Sequence, residues 1–529
     1  MRERLFGLET ELALTVLGRP GVTINQEDYT QRFMTLARQE FRHLPGLRSS
    51  GIFLQNGARL YTDCGRHPEI STPECTNPWD AVRYIRAGDR MMEQVAAELK
   101  RREPDIADIL LHKCNVDYSG SQTTWGCHES YLLRADPQTL PKHLLPFLAS
   151  RVVFTGAGGF NPLSFGLDFT LSPRSFHLVR DVSNQSTSDR GLFHTKDEPL
   201  CRSGYHRLHI LGESLCSDTA MWLKVGATAL VVALTEQGIH LSPEFAPLSA
   251  MAALRVFAAD PECSAVVMSG TGRGLTATMI QQRYLDLAEQ HARADFMPPW
   301  AEAVCRRWRE TLERLREAPW SVATVLDWAI KRALYEKHAK KRGFNWDALP
   351  PWTHVVTQLV NALAATPYRD KQVSVAFVLG HDSPVAPVVK QLTPYVLDHG
   401  LSWDRMGPFL DLRLELFEID TRFSQLGDRG IFAGLDAAQA LGHGLPGVDN
   451  IEHAMQNPPS VGRARLRGEC VKRFSGESPD YACDWEGVWD LRGQRHLDLS
   501  EPFASEEHWQ KIRPSSDRER SEHLAAARL

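Results

Sequence analysis

The sequence predicts an α+β fold in which a mainly antiparallel sheet carries the chemistry on one face. Three observations predict it. Segments early in the chain alternate apolar and polar residues, as strands do. Beyond Pro298 the chain is dominated by runs with apolar residues at helical spacing. Two early segments also gather charge on a single strand face: Gly7, Glu9, Glu11 and Ala13 within Leu5 to Val16, and Arg59, Tyr61 and Asp63 within Asn56 to Asp63. Strands early and helices late are the pattern of an α+β domain.

In the first element Phe6, Leu8 and Leu12 form the apolar face. The two acids opposite are costly to bury without a cation or hydrogen-bond donors, unless that face is exposed. In the second segment a cation, a phenol and a carboxylate share one surface. The break at Cys64-Gly65-Arg66 lets the chain turn, so that His67-Pro68-Glu69 delivers another carboxylate close by. Carboxylates for a hard cation, an arginine for phosphate oxygens and a spare carboxylate as base suit magnesium and phosphate chemistry. Taken by itself, the octet reads first as a solvated strand face closed by a salt bridge.

Asn77 is placed to cap a helix with Pro78 at its first position and Val82, Ile85, Met92, Val95 and Leu99 as its apolar stripe. Strand patterns return at Ile109 to His112, Asn115 to Asp117 and Cys127 to Arg134, where Glu129 and Tyr131 share a face. Others follow at Arg151 to Phe154, Ser175 to Val179 and Tyr205 to Leu211. Ser217 caps a long helix over 218–237 that stops at Gly238. Amphipathic runs follow at Trp300–Leu315 and Val322–His338. From Pro350-Pro351 to about Met406 the prolines leave no readable pattern. A compact basic segment, Gly462 to Lys472, precedes a Trp-rich end. We expect a main domain over 1–449, a small C-terminal domain over 450–513 and a loose tail over 514–529.

Composition narrows the class. Net charge is −5, from 60 basic and 65 acidic residues, with 43% apolar and 24% charged content. These are the values of a soluble globular protein, with no basic field calling for nucleic acid. Ten scattered cysteines without a C-x-x-C pair read as reduced thiols. Met1-Arg2-Glu3-Arg4-Leu5-Phe6 runs straight into strand pattern rather than a signal peptide, and the apolar run Val225 to Leu234 is short for a bilayer. A cytoplasmic protein that engages neither nucleic acid nor membrane is expected.

Taken together, several segments resemble the ligase that attaches prokaryotic ubiquitin-like protein (Pup) to lysines, and its sister enzyme, the Pup deamidase/depupylase. They are Gly7-Leu8-Glu9-Thr10-Glu11, the Asn56–Asp63 octet with His67-Pro68-Glu69, and Gly126-Cys127-His128-Glu129-Ser130-Tyr131-Leu132. Thr195-Lys196-Asp197-Glu198-Pro199, Tyr205-His206-Arg207-Leu208-His209, Leu223-Lys224-Val225-Gly226, Arg463-Ala464-Arg465-Leu466-Arg467-Gly468 and Asp484-Trp485 continue it. The matches run in order over most of the chain except about 345–410, which looks like an insertion. The resemblance implies a fold like that of glutamine synthetase and other carboxylate–amine ligases, with a small C-terminal domain. It implies ATP and magnesium as cofactors, with Glu9, Tyr61 and Glu69 around the metal. Arg59, Thr72 and Trp485 fall at ATP, and Asp63 becomes the catalytic carboxylate. The partners implied are Pup or a Pup-like modifier and lysine-bearing target proteins bound for proteasomal degradation. A neutral phenol is a poor ligand for a hard cation, so Tyr61 could act through a water. Trp485 suits either adenine stacking or a small core.

The chain departs from the family where Arg-Asp-Glu-Pro becomes Lys196-Asp197-Glu198-Pro199, where a histidine becomes Leu200, and where Gly-Asp-Ser-Asn becomes Gly212-Glu213-Ser214-Leu215. These changes suggest a divergent branch. The short Leu14 to Ser50 connection and the three residues between Asp63 and His67 resemble the ligase, whereas Pro73 to Pro78 is more like the deamidase; a ligase is expected. Other motifs read plainly. Cys127-His128 and Cys64 with His67 lack zinc-ligand spacing, and Ser269 to Gly274 lacks the Gly-Lys of a P-loop. The alternation Arg463/Arg465/Arg467 fits an acidic modifier or a solvated edge strand equally.

Overall fold

The computed structural model describes residues 3–47, 50–119, 123–185, 188–364, 378–380, 382–442, 444–476 and 480–512. The tail expected over 514–529 therefore lies outside the described residues, as does part of the expected insertion. Among the described residues the main sheet has nine strands. In spatial order they are Arg180–Ser183, Gly191–His194, His206–Ile210, Cys127–Leu133, Phe6–Glu11, Pro68–Ser71, Arg59–Thr62, Ile52–Leu54 and His43–Pro45. Every pair is antiparallel except Arg180–Ser183 with Gly191–His194.

Alternation sorts the side chains of this sheet. Phe6, Leu8, Leu60, Ile70, Tyr131, Leu208 and Ile210 are buried on one face, against the helices Pro78–Arg102 and Asp218–Glu236. The first helix begins as its sequence requires, with Asn77 Oδ1 accepting the Asp80 N–H at 2.9 Å. The second is capped by Ser217 and followed by Gly238 in the left-handed region. It is long and apolar enough to cross a membrane, but 89% of its apolar window is buried inside the protein. The Glu129–Tyr131 pair expected on one face is there, on the buried side: Tyr131 Oη donates to Glu129 at 2.6 Å, and Arg151 donates to both carboxylate oxygens at 2.9 and 2.8 Å.

Three expected strands are absent from the fold. Val152–Thr155 is a helical turn, because Arg151 is drawn inward to Glu129 and the valines pack into the core from a helix. Pro173–His177 is a 3₁₀ turn opened by the fixed φ of Pro173. Asn115 to Asp117 makes only an isolated bridge, between Val116 and Thr124. The arginine run is also no edge strand: Gly462–Phe474 is a helix in which Arg463 and Arg467 share one side while Arg465 pairs with Glu469 at 2.9 Å.

The Pro-dotted stretch is helical. Leu349–Ala364, Ala386–Asp398 and Met406–Phe423 bury Trp352, Val355, Leu359, Val396, Phe409 and Leu412 in a second core. The prolines are tolerated at helix starts and at Pro394. A satisfied polar knot joins this core to the rest: Asp420 accepts from Tyr118, Tyr335 and Lys331 at 2.8, 2.6 and 2.7 Å. A third core lies under the antiparallel strands Tyr481–Asp484, Gly487–Asp490, Arg495–Asp498 and Trp509–Lys511, where Leu466, Cys470 and Val488 meet Leu44 and Phe53 from the edge of the main sheet.

Candidate active site

The polar face of the sheet gathers charge. Glu9 lies opposite Ser71 and His128, and Glu11 opposite Glu69. Tyr61 lies opposite Glu69, and Arg59 opposite Ser71. Four adjacent strands thus place Glu9, Glu11, Glu69, His128, Tyr61 and Arg59 on one surface. Asp63 stands just past the end of the strand carrying Arg59 and Tyr61. It closes the turn by accepting the His67 N–H at 2.5 Å, with its other oxygen 3.3 Å from His67 Nδ1. The His67 ring leans on Trp125 at 5.2 Å.

The carboxylates are electrostatically strained. Burial raises Glu9, but the hydrogen bond to His128 and the charges of His209 and Arg207 outweigh it and hold the group well below the usual carboxylate range. Burial and the charges of Glu9 and Glu11 push Glu69 far above that range. Burial also raises Asp63, but the hydrogen bonds and charge of His67 prevail and keep it below its ordinary value. Buried carboxylates that repel one another are a donor set that fits a hard divalent cation. The Tyr61 phenol is pushed well above its usual value by burial and by Glu9 and Glu69, so it stays neutral.

A cleft opens beside this cluster. Glu9, Thr72 and Trp485 line it together, with Phe6, Leu132, Leu200 and Arg463 among its other walls. Thr72 is fixed by the first strand: the Leu8 N–H donates to its Oγ1 at 3.1 Å, and its own N–H donates to Leu8 O at 2.8 Å. Trp485 reaches the cleft from the third core, its ring set edge-on to Phe53 at 5.3 Å and covered by the Arg467 guanidinium at 4.6 Å. Arg59 lies over the Tyr61 ring at 4.2 Å and donates to Ser50 O at 2.6 Å.

Of the seven residues expected from the sequence, Glu9, Thr72 and Trp485 line the cleft, while Arg59, Tyr61 and Glu69 share the strand face of Glu9 and Asp63 stands at the end of that face. Two more residues belong to this face that the expected ligand set omitted. Glu11 accepts the Gly126 N–H at 2.9 Å, and His128 lies 3.9 Å from Glu9 and 3.7 Å from Glu11. Glu11, Glu69 and His128 bring donor atoms within 4.8 Å of one another, as do Glu9, His128 and His209. The alternation Glu9/Glu11 was the signal for the first. His128 depends on strand register, which alternation does not give.

The Pup-ligase protein family matches residues 4–357 and 391–489. The chain belongs to this family. Among curated relatives, the Pup–protein ligase of Acidimicrobium ferrooxidans is 31% identical over 517 residues, covering 96% of this chain and 97% of that one. The depupylase of Acidothermus cellulolyticus is 38% identical over 461 residues, covering 85% of this chain and 77% of that one. Among solved structures, the complex between Pup and its ligase PafA superposes with a TM-score of 0.71 at 24% identity, covering 100% of this chain and 93% of that one. PafA in complex with ADP gives 0.64, also at 24%, covering 97% and 96%. The fold of this family member is the Pup-ligase fold.

Proposed function

We propose that the protein is an ATP- and magnesium-dependent ligase that joins the C-terminal glutamate side-chain carboxylate of Pup, or a Pup-like modifier, to lysines of target proteins destined for proteasomal degradation. The observation that carries this reading is the convergence of Glu9, Glu11 and Glu69 on one strand face beside Asp63, in a chain that belongs to the Pup-ligase family. Glu9, Tyr61 and Glu69 would hold magnesium, with Tyr61 as a neutral oxygen opposite Glu69. Arg59, Thr72 and Trp485 would hold the nucleotide. When bound, ATP would supply the phosphoryl group that converts an unreactive carboxylate into a glutamyl phosphate, leaving ADP, with magnesium offsetting the phosphate charge. The attacking lysine is protonated at neutral pH, with an ordinary pKa of about 10.4, and needs a base. Asp63, kept ionised by His67, takes that proton from Nζ. We read 1–449 as the catalytic domain with an insertion at about 345–410, and 450–513 as a small C-terminal domain. Ten free cysteines suit the cytoplasm.

The second reading is a depupylase, which would hydrolyse the isopeptide bond or the modifier's terminal glutamine amide on the same scaffold. It draws on the 38% identity to a depupylase. Nearly end-to-end coverage favours the ligase: the Acidimicrobium ferrooxidans ligase is matched over 97% of its length, the Acidothermus cellulolyticus depupylase over 77%. Incubation with ATP, magnesium, a Glu-ended modifier and a lysine-bearing protein decides the matter. Conjugate with matching ADP supports the ligase; cleavage of a preformed conjugate without nucleotide turnover supports the depupylase.

A further inference from the structure

Arg207 stands on the strand His206–Ile210 opposite Leu132, so it shares the polar face with His209, His128 and Glu9. It lines the same cleft as Glu9, Ser71, Thr72 and Trp485. Its Nε is buried and has no hydrogen-bond partner among the described residues. The carboxylate facing it, Glu198, is 3.9 Å from Nη2, and Lys196 Nζ engages that same Glu198 oxygen at 3.2 Å. A guanidinium held in a cleft with an orphaned N–H and a distant, shared counter-ion is incompletely satisfied, and an incoming anion would complete it.

The strand order says which anion. Glu9 is on the central strand Phe6–Glu11; Arg207 lies two strands to one side, and the strand leading to Asp63 lies two strands to the other. A bond-forming carboxylate must sit where Asp63 can reach the attacking amine. Arg207 is across the metal-binding carboxylates from there, on the wall it shares with Trp485 and Thr72. We propose that Arg207 holds the oxyanions of the nucleotide's phosphate chain, with Glu198 as its provisional counter-ion until the nucleotide arrives. This rests on the nucleotide-dependent reading above.

Calorimetric titration of ADP and of adenosine, with magnesium, into the full chain and its variants tests it. Arg207→Gln should weaken ADP about 10–100-fold and leave adenosine within about two-fold, because only ADP offers charged acceptors. Glu198→Gln should shift ADP the other way, tightening it by about two- to five-fold, since it removes a competing negative charge. Arg207→Lys, which keeps the charge without the planar fork, should lose less than Arg207→Gln and show the same preference; it replaces that variant if the glutamine does not fold. Unchanged ADP affinity in the arginine variants overturns the proposal. So does an equal loss on adenosine, which marks a structural role, or a loss confined to a Glu-ended modifier peptide, which marks a carboxylate contact. If the unaltered protein binds neither ADP nor adenosine, the nucleotide-dependent reading itself falls and takes this proposal with it.

Discussion

At the scale of single residues, Asp63 and Glu69 are both carboxylates, and their surroundings push them in opposite directions. Asp63 accepts from the His67 backbone and stays ionised; Glu69 faces Glu9 and Glu11 with little compensation. Asp63→Asn is nearly isosteric and cannot take a proton, so conjugation should fall about 10²–10⁴-fold, with ADP affinity nearly unchanged in calorimetry. Near-normal turnover would remove Asp63 from the role of base. Glu69→Gln should behave differently. Without a cation the carboxyl is already driven toward its neutral form, so the amide should leave the melting temperature unchanged or slightly raised. Added magnesium and nucleotide should then fail to raise it, whereas they should stabilise the unaltered protein. A normal magnesium-dependent shift in the variant would make Glu69 a structural residue.

Among elements, the helix Gly462–Phe474 links the third core to the active-site strands. Arg463 Nε donates to Glu74 at 2.6 Å, and Arg467 contacts Glu74 and donates to Gly57 O at 3.1 Å while covering Trp485. Gly57 has φ of 82°, and a side chain there would approach Ala464 O at 3.0 Å, so the turn preceding Arg59 is shaped against this helix. Burial raises Glu74, but the charges of Arg467 and Arg463 hold it at about 2, below an ordinary 4.5. The unfolded chain therefore binds the extra proton between those values. The contribution, on the order of 3 kcal/mol, is fully present above about pH 4.5 and is lost as pH falls toward 2. Glu74→Gln should lower the melting temperature at pH 7, and the gap to the unaltered protein should close with acidification. A gap independent of pH would mean the loss is one of packing.

The same element shows what could be read in advance. Capped helices were legible at Asn77 and Ser217 because the cap, the proline or glycine punctuation and the apolar stripe agree locally. The strand faces of Glu9 and Arg59 were legible because alternation alone sorts side chains. The arginine run misled because positions 463, 465 and 467 alternate in sequence, while the side chains that matter, Arg463 and Arg467, are one helical turn apart and answer to Glu74. Val152–Thr155 misled for a related reason: its valines favour strands, and burial with Arg151 directed at Glu129 decided otherwise. His128 joined the site through register, a property of pairs of strands, whereas Glu11 was already legible from its alternation with Glu9.

For the whole molecule, the question is the direction of the reaction, and thermodynamics separates the two readings. Joining a carboxylate to a protonated amine is uphill in water, so a ligase must consume a nucleotide for each bond. Hydrolysing an amide is downhill, and an enzyme that does so can keep one nucleotide bound without turning it over. Under the proposed reading one sheet surface would supply both halves of a coupled reaction: the cleft lined by Thr72 and Trp485 for the nucleotide, and Asp63, just past the strand of Arg59 and Tyr61, for the base. With labelled ATP, a Glu-ended modifier and a lysine-bearing target, ADP should appear in a 1:1 ratio to conjugate. A modifier ending in glutamine should give neither, because its amide cannot accept a phosphoryl group as a carboxylate does. Asp63→Asn should suppress conjugate while still allowing ADP to form slowly, since the glutamyl phosphate would be lost to water instead of lysine. Release of free modifier from a conjugate at constant ATP would reverse the assignment and make the protein a depupylase.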